Sequence, residues 1–137
     1  MKLVLDACIG IKWILPEIDS AQAIALRDDF RNQIHELIAP DTFPPEVAHA
    51  LTRAERKGTI TQQSAAMHFM QLLANLPQIY QSLPLLPRAY ELSSQFRIGV
   101  YDCLYIAIAE REQCQVVTAD QKMLTLFPTE AVFLADM

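Results

Sequence analysis

Only three glycines, Gly10, Gly58 and Gly99, occur in the 137 residues, too far apart to build a glycine-rich phosphate loop. Phosphate-loop NTP hydrolysis is thereby excluded. Cysteine is as sparse: Cys8, Cys103 and Cys114 are odd in number and lack C-x-x-C spacing. They argue against a disulfide framework and a zinc site, and they suit a reducing cytosol. No apolar run reaches the roughly 18 residues that a membrane span requires. Lys2 precedes an apolar stretch, but Asp6 and Lys12 interrupt it and no small-residue cleavage site follows, so a secretion signal is not expected. The expectation is a cytoplasmic protein without membrane attachment. Basic charge is also scarce, with 11 Lys plus Arg against 16 Asp plus Glu, a formal charge of −5. Nucleic-acid binders usually show a basic surface. If four acids were gathered in one cation-binding cleft, 12 would face 11 bases, leaving −1. The acidity therefore neither excludes nor supports an RNA substrate.

A chain near this length buries roughly 68–70% of its unfolded surface, and a hydrophobic fraction of 52% suits a self-sufficient core. Leu3 to Leu5 is a short apolar run ending at Asp6, which reads as a buried strand. Ala7 to Leu15 reads as a helix stopped by Pro16. Asp19 and Ser20 are N-cap candidates for a helix from Ala21 to about Gln33. Glu36 to Ala39 is a second strand. Pro45 suits a helix start, with Glu46 to Lys57 following and Gly58 ending it. Thr61 caps a further helix that runs to Pro77. Ile79 to Leu83 is a weak strand candidate, and Pro87 to Phe96 a helix. Tyr101 to Glu112 is the most apolar helix. Val116 to Thr118 is a strand, Asp120 to Leu126 a short helix, and Ala131 to Leu134 a last strand. Short apolar strands alternating with helices predict one α/β domain over residues 1–137, with a mostly parallel central sheet flanked by helices on both faces.

Ligands of open parallel sheets bind outside the carboxyl ends of the strands. Asp6 and Asp120 stand where apolar β runs give way to helices. Glu46 opens a helix after the second strand, and Asp102 opens another after a loop. Taken singly, Asp102 and Asp120 are better read as N-caps, and Glu46 as a complement to its helix dipole. Asp6 is different: Leu3–Val4–Leu5 precedes it and Ala7–Cys8–Ile9 follows. An Asp in such surroundings is rarely buried unless paired or metal-bound. Two unit charges about 4 Å apart repel by about 4 kcal/mol at an effective dielectric near 20. A nest of such acids needs cations or raised pKa values. A hard ion such as Mg²⁺ removes the conflict, taking one or two carboxylates, several waters and phosphate oxygens.

Four segments carry a resemblance to a family. They are Asp6–Ala7 with Lys12–Trp13, Pro45–Glu46–Val47–Ala48, Val100–Tyr101–Asp102 with Leu104–Tyr105, and Thr118–Ala119–Asp120. In order and spacing they resemble the motif blocks of PIN domains, and most of all the VapC-type ribonuclease toxins of toxin–antitoxin pairs. The resemblance spans residues 4 to about 124. It implies a PIN-like fold in which Asp6, Glu46, Asp102 and Asp120 hold one or two Mg²⁺ or Mn²⁺ ions. It also implies in-line attack by metal-activated water on RNA, leaving 5′-phosphate and 3′-hydroxyl ends. Thr118 would orient a metal ligand or water, and Lys12 and Lys122 would lie near substrate phosphates. The implied partners are an RNA substrate, a second copy in a homodimer, and an antitoxin protein. The chain departs from the family pattern at Cys8, usually Ser or Thr, and at His49, often Asn. A thiol donates more weakly than a hydroxyl. His49 falls on the helical face of Glu46, three residues on, within reach of phosphate or a bound water.

Other residues read more plainly. Glu46-x-x-His49 has the form of a di-iron bundle motif, but no second copy exists. His35 and His68 lack partners at ligand spacing, and Trp13 reads as a core anchor. Arg56 and Lys57 complement a helix dipole. Met67, Phe69, Met70, Leu72 and Leu73 exceed one narrow stripe, so their helix is a candidate interface as well as a core element. A receiver-type phosphoacceptor would need adjacent acids after the first strand, whereas Ala7 follows Asp6. The alternative to a metal-dependent endoribonuclease is a catalytically silent PIN-like binding module, which Cys8 keeps open.

Overall fold

The computed structural model describes residues 1–137. Five parallel strands form its sheet: β1 (Lys2–Leu5), β2 (Glu36–Pro40), β3 (Gln78–Tyr80), β4 (Gln115–Thr118) and β5 (Ala131–Phe133), in the order β3-β2-β1-β4-β5. The expected α/β class and parallel sheet are therefore present. The chain moves outward from β1 through β2 to β3, then returns to pair β4 with the other edge of β1. Right-handed crossovers place the helices of these two halves on opposite faces. One face carries α1 (Ala7–Lys12), α2 (Ser20–Arg31), α3 (Phe43–Arg56) and α4 (Gln62–Ala74). The other carries α5 (Leu86–Phe96), α6 (Val100–Glu112) and α7 (Gln121–Leu126). The strand order reverses at the β1–β4 pair, whose carboxyl ends open the crevice where ligands of such sheets bind.

Helix α6 is apolar on all sides because it is covered on all sides: Cys103 through Ala109 are buried against the middle of the sheet. No helix is long and apolar enough to cross a membrane. Trp13 is buried, and its indole donates to the Ala23 carbonyl at 2.8 Å, fastening α1 to α2 as a core anchor should. Thr61 caps α4, accepting from the Ser64 N–H at 3.1 Å. Of the apolar residues on α4, Leu72 is buried while Met67, Met70 and Leu73 are exposed.

Several boundaries differ from expectation. Helix α1 stops at Lys12 instead of Leu15: the N–H groups of Trp13 and Ile14 turn back to the carbonyls of Gly10 and Ile11, three residues behind, and Leu15, directly before Pro16, is disfavoured in helical geometry. Helix α3 starts at Phe43, not at Pro45. The first four N–H groups of a helix lack internal partners, so Pro44 and Pro45 both fit the opening turn. The Glu46 N–H then makes its bond to the Thr42 carbonyl at 3.0 Å. Strand β3 ends at Tyr80 because a 3₁₀ turn over Leu83–Leu85 takes up the remainder.

Helix α1 approaches the start of α3 through Gly10. A Cβ added there would stand 2.8 Å from the ring of Phe43, which is itself wholly buried. Gly10→Ala is therefore expected to cost about 1–3 kcal/mol by overpacking. Denaturant titration would read this as a lower midpoint with an unchanged slope. An unchanged midpoint would mean that α3 can shift freely against α1.

Candidate active site

At the carboxyl edge of the sheet lies an open cleft of about 820 Å³. It is lined by Asp6, Glu46, Asp102 and Asp120, with Ala7, Cys8, Ile11, Thr42, Pro45, His49 and Tyr101 around them. The four acids singled out in the sequence thus share one site. Asp6 leaves the end of β1 and Asp120 follows β4, and these strands are paired through Leu5 and Val117. Glu46 is delivered by the first turn of α3, and Asp102 by the first turn of α6.

Asp6 is 6% exposed. Its Oδ2 accepts from Thr118 Oγ1 at 2.6 Å and from Cys8 Sγ at 3.2 Å, leaving Oδ1 for a ligand. Thr118 is 0% exposed, and its Oγ1 also accepts from the Asp120 N–H at 3.0 Å, so one hydroxyl links the loops after both central strands. Asp120 Oδ1 caps α7, accepting from the N–H groups of Lys122 at 2.9 Å and Met123 at 3.4 Å. Asp120 therefore caps α7 and also lines the cleft. Glu46 Oε1 accepts from the Tyr105 hydroxyl at 3.3 Å.

Burial is the first cause of the site's electrostatic strain, and the acids' mutual repulsion is the second. Burial and then the charge of Asp120 raise the pKa of Asp6 against the opposing hydrogen bonds from Thr118 and Cys8. Glu46 is pushed from its ordinary 4.5 to about 7 by burial, with Asp6 and Asp102 adding to the rise. Asp102 is pushed from 3.8 to about 6 by burial, then by Asp6 and Asp120, with Lys122 acting against the rise. Every ion pair in the molecule lies elsewhere, so none of these acids is in a salt bridge, and Lys122 acts on Asp102 only from a distance.

The donor set suits a hard divalent cation. All its charged members are carboxylates, and three of them, Asp6, Glu46 and Asp102, are shifted toward neutrality. No three donors are drawn together into a closed cage. Mg²⁺ requires none, since one or two carboxylates suffice when waters and phosphate oxygens complete the octahedron.

His49 stands exposed on the cleft wall. Lys122 lies near enough to Asp102 to lower its pKa. Lys12 is not among the lining residues: its ammonium donates to the Ile18 carbonyl at 2.7 Å and lies 3.7 Å from Glu17. It ties down the loop after α1 in place of the expected phosphate contact. Thr42 lines the cleft although the expected start of α3 at Pro45 hides it in the sequence. Tyr101 and Tyr105 belong to the third motif block, but the sequence assigns neither a role: Tyr101 lines the cleft, and the buried Tyr105 reaches it only through its hydroxyl on Glu46.

Residues 3–126 match the PIN domain family, nine-tenths of the chain. The chain belongs to the PIN-domain family. It is 29% identical to Ribonuclease VapC3 of Pyrobaculum aerophilum, over 93% of this chain and 96% of that protein. It is 33% identical to Ribonuclease VapC1 of Mycobacterium tuberculosis, over 88% of this chain and 82% of the relative. In fold it is similar to the crystal structure of VapBC2 from Rickettsia felis bound to a promoter DNA fragment. That match has a TM-score of 0.67 and 16% identity, and it covers 97% of each chain. The resemblance read from the four motif blocks is therefore correct at the level of the family.

The raised acids make this PIN domain's stability depend on pH when no cation is bound. Glu46 and Asp102 hold protons in the folded state at pH values where the unfolded chain has released them. Stability therefore falls as pH rises through the interval from about 4 to about 7. In EDTA, the melting temperature at pH 5.5 is expected to exceed that at pH 7.5, with Mg²⁺ or Mn²⁺ narrowing the gap. A gap as large in Asp102→Asn as in the natural sequence would show that the dependence arises elsewhere.

Proposed function

We propose that this PIN-domain protein is an endoribonuclease dependent on Mg²⁺ or Mn²⁺, the toxin of a VapBC-type pair. One observation carries the reading: four carboxylates from separate parts of the chain line one cleft, buried enough to repel and with no salt-bridge partner. Such a site is unfavourable until a cation enters it, which is a reason for the fold to keep the acids only if a cation is used. The names of the two relatives, both VapC ribonucleases, support the activity.

In this mechanism Asp6, Glu46, Asp102 and Asp120 hold one or two ions. When bound, a divalent cation polarises the phosphodiester and lowers the pKa of the attacking water. Thr118 and Cys8 hold Asp6 by Oδ2, which fixes Oδ1 as the free oxygen. Tyr105 orients Glu46. His49 on the wall contacts a substrate phosphate, and Lys122 offsets part of the negative charge at Asp102. The products are 5′-phosphate and 3′-hydroxyl ends. The thiol of Cys8 fills the donor role that a hydroxyl would take, so the departure behind the silent-module alternative still leaves Asp6 supported.

The protein pairs as a homodimer and is restrained by an antitoxin; the exposed Met67, Met70 and Leu73 of α4 support an interface on that helix. The likeness to VapBC2 supports the antitoxin partnership. Protein freed of co-purifying partners should cut RNA with Mg²⁺ or Mn²⁺ and stop in EDTA. Cleavage that persists in EDTA would overturn the metal dependence. Intact RNA across a broad panel, together with a flat calorimetric titration by both cations, would overturn the nuclease itself.

A further inference from the structure

No lysine or arginine lines the cleft, although four carboxylates do. Proteins that hold nucleic acid usually neutralise phosphates with such cations. Beyond the cut phosphate itself, which the cation and His49 would meet, the strand must be held by another chemistry. The lining offers apolar surface at Ala7, Ile11, Pro45 and Tyr101, and only Tyr101 has a large aromatic face.

Tyr101 is unusual for its place in the chain. It belongs to the first turn of α6, whose residues Cys103 to Ala109 are all buried, yet it is 62% exposed. It immediately precedes Asp102, so its ring is carried on the same rigid helix turn as one of the cleft acids. Tyr90 is comparably exposed but lies outside the cleft. Exposure alone is therefore not the point; exposure inside the cleft beside Asp102 is.

We propose that Tyr101 is a stacking platform for the nucleobase beside the cut phosphate of a single strand. This rests on the nuclease reading. Every base has a π-face, so an aromatic ring binds single strands with little sequence preference. A base inside a duplex is already stacked and paired, and its faces are closed to a side chain at the mouth of a cleft. The same contact supplies affinity that does not depend on phosphate neutralisation, reconciling an acidic protein with an acidic substrate. A platform fixed to the helix turn of Asp102 also sets the register of the strand against the acids.

The test places Tyr101→Ala, Tyr101→Phe and Tyr101→Trp in an Asp6→Asn background, where strands remain uncut. Anisotropy with Mg²⁺ present then reads binding of a fluorescein-labelled single-stranded oligoribonucleotide and of the same strand annealed to its complement. Tyr101→Ala is expected to weaken single-strand binding on the order of tenfold to a hundredfold, the loss of one base–aromatic stack. Phe and Trp should hold it, and the duplex should bind more weakly and be indifferent to residue 101. In the cutting enzyme, Tyr101→Ala should raise KM more than it lowers kcat. Unchanged binding in Tyr101→Ala, equal loss in Ala and Phe, or no preference for single strands would each overturn the proposal. So would a dimer that falls apart in Tyr101→Ala while RNA binding stays constant, since the ring would then serve a protein interface. Stacking on Tyr101 together with intact RNA and a flat calorimetric titration would uphold the base contact while overturning the nuclease, so the two failures are separable.

Discussion

Asp6→Asn is expected to remove RNA cleavage while leaving the metal-free protein as stable as the natural sequence or more so. Losing a partner that merely supports a metal ligand costs about ten- to hundredfold in activity. Losing the ligand itself should exceed that, on the order of a thousandfold or beyond. The stability effect runs the other way because Asp6 is a buried acid whose charged form is opposed by burial and by Asp120. Asparagine has nearly the same shape, and its side-chain oxygen can still accept from Thr118. Thus the change removes a buried charge while retaining an acceptor for the hydroxyl now 2.6 Å away. Paired assays check this: cleavage in Mg²⁺ or Mn²⁺, and melting in EDTA. Clear destabilisation in EDTA would make Asp6 a structural residue whose loss disables the protein by unfolding it. Full cleavage by a folded Asp6→Asn would remove Asp6 from the site.

Opposite signs for activity and stability mark residues kept for chemistry despite a cost to the fold, and here that cost was partly legible in the sequence. An acid directly after Leu3–Val4–Leu5 and before Ala7–Cys8–Ile9 has no cheap place in a core, whatever the tertiary structure. The other three acids were legible as positions at helix starts following strands or loops. Their convergence was not, because it depends on the chain returning from β3 to pair β4 with β1. Strand order leaves no local trace in the residues. Family resemblance supplied what periodicity did not.

The misplaced residues have separate causes. Lys12 follows the acid block closely, but its side chain turns toward the Ile18 carbonyl in a loop that includes Asp19 in the left-handed region. Nothing periodic announces such a loop. Tyr101 and Tyr105 sit in one apolar run, and sequence alone cannot separate the exposed ring from the buried one. The four-residue spacing even puts them near one helical face. What parts them is depth: Tyr101 stands at the open end of α6, whereas Tyr105 lies one turn further in, under the sheet, with its hydroxyl on Glu46. A buried tyrosine usually finds a partner for its hydroxyl, and here the partner is a cleft acid.

Thr118→Val should show how far the site depends on a single hydroxyl beneath it. Valine keeps the branched shape, so packing around this wholly buried position is nearly preserved. It deletes the donor to Asp6 Oδ2 and the acceptor for the Asp120 N–H together. Each group left unsatisfied in a buried setting costs about 1–3 kcal/mol. A stability loss of about 2–4 kcal/mol is expected in metal-free urea titrations, allowing for partial solvation of the Asp120 loop. Activity per folded molecule should fall about ten- to hundredfold, as for other partners that orient metal ligands. Thr118→Ser retains the hydroxyl and should retain most of both. If Val lowers stability but the folded fraction cuts RNA at the natural rate, Thr118 holds the loops together without positioning Asp6. The double variant with Asp6→Asn isolates the link. A neutral amide oxygen loses less than a carboxylate when its hydroxyl donor is removed, so Thr118→Val should cost less stability in that background than in the natural one. Equal costs in the two backgrounds would mean that the hydroxyl acts through Asp120 alone.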